Sequence, residues 1–170
     1  PPASVGGPMV TNVIVNDSFE DGDRTATGPL QADWWSSSST SGNSVEVYTN
    51  KLRLVSGTSG RGIHGTFTPQ DLEIGDTVRV TYTFTTPATV GVNKSTAFKV
   101  ALMDFNDPGL AADLSSSSSA ANPLYTNLPG YMADMDVNTG ATADISIRKH
   151  QAPNTVGRFL GTTSEWDSLG

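Results

Sequence analysis

The sequence predicts an all-β domain built as a two-sheet antiparallel β-sandwich of the jelly-roll type. Apolar and polar residues alternate in several segments, which is the pattern of a strand with one buried side. The helical spacing of apolar residues is not sustained in any window, and Gly-, Pro- and Ser-rich stretches separate the alternating segments. About eight short strands joined by such turns favour a sandwich with Greek-key connections over a closed barrel.

The predicted strands, in chain order, are VTNVIV (10–15), SVEVYT (44–49), KLRLVS (51–56), GIHGTFT (62–68), TVRVTYTFTTP (77–87), STAFKVALMDF (95–105), YMADMDV (131–137) and ADISIRKH (143–150). The clearest is the fifth, whose Val78, Val80, Tyr82 and Phe84 are expected to face the core. The same alternation predicts that these residues of the later strands also face inward: Phe98, Val100, Leu102, Tyr131, Ile145 and Ile147.

Composition limits the classes of function. The 170 residues are expected to form one jelly-roll domain, with a flexible N-terminal segment at 1–10. The absence of cysteine excludes thiolate chemistry and cysteine-ligated metals. A net charge of −7 argues against nucleic acid as a partner, and no apolar run approaches the ~20 residues that would insert into a membrane. The low charged fraction, 16%, is typical of an exported bacterial domain and predicts an extracellular or cell-surface location.

The segment VIVNDSFEDGDRT (13–25), followed by Trp34 and Trp35, resembles the opening of jelly-roll carbohydrate-binding modules attached to glycan-degrading enzymes. It is more similar to the concanavalin A-like, LamG-like domain of bacterial surface proteins that carry an exosortase (PEP-CTERM) sorting tag. There a DGDRT opening precedes a tryptophan and a serine-rich loop, and the similarity continues through SGTSGRGI, GDTVRVTYTF, AFKVALMD and GYMADMDVNTG. The resemblance implies the fold. It leaves the activity open, because this architecture hosts lectins, binding modules, hydrolases and lyases.

Domains of that family continue past the segment TSEWDSLG into further strands, one of which pairs near the N-terminal strand. The resemblance therefore implies that the last strands of the sandwich lie outside these 170 residues. Either a further segment or a partner chain is expected to supply them, because a sandwich without them would leave open ladder edges.

Two groups of residues are candidates for glycan binding. Sugar rings present apolar C–H faces rimmed by hydroxyls, so their sites combine aromatic platforms with hydrogen-bonding side chains. Trp34 and Trp35 lie in a polar context that does not bury both rings, and at least one indole is expected to be exposed; a tryptophan closing the end of the sandwich is the alternative. The second candidate is a shared polar sheet face, which is alternatively an ordinary solvated face with cross-strand ion pairs. Its residues are Arg79, Lys99, Asp134, Asp136, Arg148 and His150.

A structural calcium site is a further candidate, at an acidic turn near the N-terminus. Calcium takes 6–8 oxygen ligands, and carboxylates are crowded in this turn. The candidate ligands are Asp17, Glu20, Asp21 and Asp23. In the binding modules that the sequence resembles, a calcium ion often sits near this strand. The alternative is a solvated turn in which aspartates bond to nearby backbone.

The sequence therefore predicts a non-catalytic extracellular module that binds a polysaccharide. A lyase or glycoside hydrolase of the same fold is one alternative, because Asp134 and Asp136 lie two apart on one strand face, a spacing that suits paired carboxylates. No nucleophile elbow, phosphate loop or zinc-spacing motif is present. The other alternative is a structural subunit of a bacterial surface layer or filament, in which open edges accept strands from a neighbour.

Overall fold

Eight short β-strands make up the regular structure of the residues that the structure describes. The computed structural model describes residues 10–37, 44–55, 62–85, 97–105, 112–114, 128–136, 145–151 and 166–170. The strands are β1 (Asp33–Ser36), β2 (Ser44–Val47), β3 (Leu52–Val55), β4 (Ile63–Thr66), β5 (Ala97–Met103), β6 (Gly130–Asp136), β7 (Ile145–His150) and β8 (Trp166–Ser168). The described residues contain no helix, and every ladder is antiparallel, so the all-β prediction is confirmed. Face-to-face packing of two sheets stays a prediction.

The strands form three sheets. β1 pairs with β4, β2 pairs with β3, and β5 to β8 follow one another in a four-stranded sheet. The β2–β3 connection is a tight hairpin closed by hydrogen bonds between Tyr48 and Lys51. Its two central residues, Thr49 and Asn50, have φ values of 48° and 55°, which is the left-handed backbone that matches the twist of a two-residue hairpin. In the residues that the structure describes, no helix is long and apolar enough to cross a membrane.

Six of the predicted strands are confirmed: those that correspond to β2 through β7. Two predictions were wrong, since residues 10–15 and 77–85 form no strand. Val80, Tyr82 and Phe84 are each about half exposed, and the Phe84 ring instead stacks on Phe98 at a centroid distance of 4.5 Å. A half-buried strand needs alternating apolar and polar residues, but it also needs a neighbouring strand to pair with, and alternation does not provide one. β1 and β8 were not predicted, because their short sequences, DWWS and WDS, carry no alternation.

The side of the four-stranded sheet that is covered is the opposite of the predicted one. Tyr131, Ile145 and Ile147 share a side and are exposed by 56%, 62% and 44%, whereas Met132 and Trp166, on the other side, are buried. The expectation that Tyr131, Ile145 and Ile147 face the core was therefore wrong. Strand alternation determines which residues share a side, but it does not determine which side is covered, and here the covered side carries Met132 and Trp166 beside the charges.

Candidate functional site

An open groove of about 320 Å³ runs between the N-terminal loops and the end of β4. Its volume is at the lower end of the range for ligand pockets, roughly 300–1,000 Å³. Four residues form its apolar walls: Ile14, Pro29, Phe67 and Pro69. Four others contribute hydrogen-bonding groups: Gln31, Asp33, Thr66 and Thr68. Phe67 is 42% exposed, so its ring is available to a ligand.

The polar wall of the groove is held in place by hydrogen bonds. The side-chain oxygen of Gln31 accepts from the amide and the hydroxyl of Thr27, at 2.7 and 2.8 Å, and its amide nitrogen donates to Asp21 at 2.8 Å. One oxygen of Asp33 accepts from the amide of Ala26 at 2.7 Å. The other oxygen of Asp33 makes no hydrogen bond to the described part of the chain and can accept one from a ligand hydroxyl.

The acidic turn predicted to bind calcium is stabilised by internal hydrogen bonds. Asp17 accepts from the amide of Phe19 and from the indole of Trp34, and Asp23 accepts from the amide and hydroxyl of Thr25. Hydrogen bonds to the carboxylate of Asp21, above all the one from the side chain of Thr27, lower the pKa of that group. Hydrogen bonds from Thr25, above all the one from its backbone amide, lower the pKa of Asp23 in the same way.

Glu20 is exposed. Among the described residues, no group of three or more acidic or histidine side chains is arranged to hold a metal ion. Calcium at this turn stays a prediction. What the structure does show is that Asp21 positions the groove wall through Gln31 and Thr27.

The tandem tryptophans lie in β1 and point to opposite sides of its ladder with β4. Both are half-buried. The Trp34 ring lies over Gly65, its indole nitrogen donates to Asp17 at 2.7 Å, and Phe19 packs on it edge-on at 5.8 Å. Trp35 lies beneath the guanidinium of Arg24, whose Cζ is 5.1 Å from the ring. Both indoles thus make internal contacts, and their role as sugar platforms stays a prediction.

Beside Trp35, a buried histidine lies near an ion pair. His64 is opposite Trp35 in the ladder and is 6% exposed. Burial lowers its pKa from 6.5 to about 4, although the nearby carboxylate of Asp113 opposes the shift. Asp113 is paired with Arg24, which lowers the pKa of this carboxyl against the opposing effect of burial. His64 is therefore neutral at physiological pH while Asp113 and Arg24 are charged.

The charged residues predicted to share a sheet face are brought together in part. Lys99, Asp134, Arg148 and His150 lie on one side of the four-stranded sheet, and the backbone of Asp136 continues that side at the end of β6. Arg79 does not: it lies in the exposed segment 77–85, outside the sheet, so its predicted placement was wrong.

This charged side is not an open platform. His150 is buried, donates from Nδ1 to the carbonyl of Leu128 at 2.6 Å, and packs against Trp166 at 4.7 Å. Asp134 lies between two cations, with Oδ2 3.8 Å from the Lys99 ammonium and 3.6 Å from Nε of Arg148. Their role in ligand binding stays a prediction. The side chains of Lys99 and Arg148 keep exposures of 18% and 19%, so a small ligand group can still reach them.

No protein-family model matches the chain, and neither the curated proteins nor the solved structures compared with it give a match. The similarity to LamG-like surface domains stays a prediction, and the arrangement of side chains is what bears on function. The residues of the groove were not predicted from the sequence. Phe67 had one available signal, its place at the end of the alternating segment GIHGTFT. Gln31 and Asp33 had none, since the loop before β1 and the first residue of that strand lie in a segment without alternation.

Proposed function

We propose that this chain is a non-catalytic, extracellular carbohydrate-binding module that holds a polysaccharide in the groove beside β4. The observation that carries the proposal is the combination of an exposed Phe67 ring with the fixed polar groups of Gln31 and Asp33 in one open groove. A sugar ring presents an apolar face and a rim of hydroxyls, and the groove offers a partner for each.

Charge supports an uncharged glycan in this groove. The chain carries a net charge of −7, and among the described residues the groove lining contains Asp33 but no basic residue. An acidic or sulfated chain would meet repulsion from both. A neutral polysaccharide, such as a glucan, xylan or mannan, would not.

The test compares Phe67→Ala with Tyr48→Ala. Tyr48 is a comparably exposed aromatic residue in the β2–β3 hairpin, outside the groove. Affinity for a panel of neutral polysaccharides is measured by affinity electrophoresis and calorimetry, after the melting temperature of each variant. Loss of the Phe67 ring should weaken binding about tenfold, since a partly buried aromatic ring is worth ~1–2 kcal/mol. If Tyr48→Ala weakens binding and Phe67→Ala does not, the groove is not the site.

The same samples separate binding from catalysis. If the chain were a lyase or hydrolase, incubation would release unsaturated uronates or new reducing ends, and Asp134→Asn or His150→Ala would abolish that release. The proposed function predicts neither product from any glycan that binds. Turnover that both substitutions abolish would overturn the non-catalytic assignment.

A second candidate function, a structural subunit of a surface assembly, is favoured by the open apolar side of the four-stranded sheet. Tyr131, Ile145 and Ile147 are exposed there, and Lys149 lies opposite Asp167 in the ladder. This side is therefore locally neutral despite the net charge, and a second copy of the chain is the occupant that it suits. Light scattering of the parent and of Ile145→Lys tests this: a parent that is monomeric at high concentration excludes such an assembly.

A further inference from the structure

Arg148 is a largely buried arginine whose Nε lacks a hydrogen bond. It lies on the charged side of the four-stranded sheet, between Met132 of β6 and Ser168 of β8 in the ladders. Its side chain is 19% exposed. Its Nε is buried and has no hydrogen-bond partner in the part of the chain that the structure describes. The nearest acid, Asp134, has Oδ2 at 3.6 Å, beyond a well-formed hydrogen bond.

Asp134 cannot satisfy Arg148 by itself. The same oxygen, Oδ2, also lies 3.8 Å from the ammonium of Lys99, which has further contacts. Asp136, the next acid on this side, is four residues along β6 from the rung of Arg148, about 13 Å at the rise of a strand. The Nε–H of a guanidinium is a hydrogen-bond donor, and removing it from water without an acceptor costs free energy.

We propose that Arg148 anchors a binding site for a carboxylate group, with Lys99 as the second cation. A carboxylate matches the planar fork of a guanidinium through two parallel hydrogen bonds. Ser146 and Ser168 lie on the same side of the sheet, next to Asp134 and Arg148 in the ladders. A carboxylate bound at Arg148 would lie on the side of the sheet that carries both hydroxyls. A monoanion is favoured over sulfate or phosphate, because Asp134 and the net charge of −7 both oppose a second negative charge.

This site is independent of the proposed neutral-glycan groove, because the two share no residue. The carboxylate could belong to an acidic sugar or to a small organic acid. Both sources carry the carboxylate group that Arg148 would bind. They differ because an acidic sugar also has a ring, whose contacts can add affinity.

The experiment titrates the intact chain with D-glucuronate, acetate, D-glucose and sulfate, followed by calorimetry and by NMR of the amides in β7. At the β7 amides, glucuronate should cause shifts and D-glucose should not, because a neutral sugar is expected in the groove instead. Binding of glucuronate at least several-fold tighter than acetate would assign the site to an acidic sugar, and equal binding would assign it to a small carboxylate. Sulfate bound at β7 as tightly as either carboxylate, or glucose bound at β7 as tightly as glucuronate, would overturn the proposal.

Three variants locate the site. Arg148→Gln should lower carboxylate affinity about tenfold or more, since charge-assisted hydrogen bonds are lost. Arg79→Gln is the matched control, because it removes an exposed arginine that lies outside the sheet, and it should bind as the parent does. Asp134→Asn should bind several-fold more tightly because it removes the opposing charge. This third variant keeps the proposal testable if Arg148→Gln does not fold, and unchanged affinity in Arg148→Gln or weaker affinity in Asp134→Asn would reject it.

Discussion

Arg24 donates two hydrogen bonds to the carboxylate of Asp113, at 2.7 and 2.9 Å, although 89 residues separate them in the sequence. The same carboxylate accepts from the backbone amide of Ser36 at 2.8 Å, and the guanidinium covers the Trp35 ring. The amide of Leu114 donates to the carbonyl of Ser36 at 3.1 Å. Through these contacts one ion pair joins the N-terminal loop, β1 and the segment 112–114.

The first prediction concerns the strength of this pair. Asp113→Asn should lower the free energy of unfolding by about 1–2 kcal/mol, because it removes charge-assisted bonds from a site where both side chains are about a quarter exposed. Glu46→Gln is the control, since it breaks the pair with Arg53, whose side chains are about half exposed, and should cost less than ~1 kcal/mol. Urea unfolding measures both. Equal losses in the two variants would mean that the pair of Asp113 with Arg24 stabilises the fold no more than an exposed ion pair does.

The second prediction is a loss of stability between pH 6.5 and about 4, caused by His64. Its pKa is 6.5 in the unfolded chain and about 4 in the folded protein. Above pH 6.5 neither state binds the proton, so stability is unaffected. As the pH falls from 6.5 towards 4, the unfolded chain binds a proton that the folded protein does not, and stability falls by about 3 kcal/mol in total.

Urea unfolding at a series of pH values follows this loss. His64→Gln should flatten the curve in that window. His150→Gln removes the other histidine of the chain and should leave the slope in place. The lowered pKa of Asp113 acts separately, since its contribution is present above pH 3.8 and is lost only as the pH falls below that value. A slope that persists in His64→Gln would show that another group is responsible.

The strands were predictable where apolar and polar residues alternate over several positions, and less so elsewhere. β2 through β7 follow from alternation alone. The segment 77–85 has the clearest alternation in the chain yet forms no ladder. β1 pairs with β4 across the intervening hairpin, and its four residues show no periodicity. The alternation of residues indicates which side of a strand is apolar. Which strands pair with each other depends on contacts between residues that are distant in the sequence.

The site was less predictable than the fold, for the same reason. Candidate residues were chosen by chemical type, and the structure shows several of them making internal contacts: Asp21 with Gln31, Trp34 with Asp17, and His150 with Leu128. The groove forms where the loop before β1 lies against the end of β4, and no residue spacing in the sequence indicates that these two segments are close together.

The third prediction concerns metal at the acidic turn. The oxygens of Asp21 already accept from Thr27, Gln31 and Asp23, and a calcium ion would have to displace some of these donors. If the ion binds by displacing them, as the sequence predicts, excess EDTA should lower the melting temperature. If the internal hydrogen bonds are stronger, EDTA and added calcium should leave it unchanged. A ligand present at a hundredfold its Kd would stabilise the fold by ~2.7 kcal/mol, a shift of several degrees. A shift of that size, reversed by adding calcium back, would establish the calcium site.

The fourth prediction concerns the close approach of Trp34 to Gly65. A Cβ atom at position 65 would lie 2.9 Å from the Cε3 and Cζ3 atoms of the Trp34 ring. The ring cannot easily move away, because its nitrogen is bonded to Asp17 and Phe19 packs against it. Gly65→Ala should therefore destabilise the protein by about 1–3 kcal/mol, the usual cost of overpacking.

Two further variants separate this contact from a general effect of adding a methyl group. In Gly28→Ala the nearest atom is the side-chain oxygen of Gln31 at 3.4 Å, close to ordinary van der Waals contact, and the loss should be small. In the double variant Trp34→Leu/Gly65→Ala, the smaller side chain removes the clash. Its loss of stability should therefore be smaller than the sum of the losses in Trp34→Leu and in Gly65→Ala. Additive losses would mean that the ring and the glycine do not interact. If Trp34→Ala instead keeps the melting temperature of the parent while glycan affinity falls, this indole serves as a sugar platform and the contact with Gly65 is not what holds it.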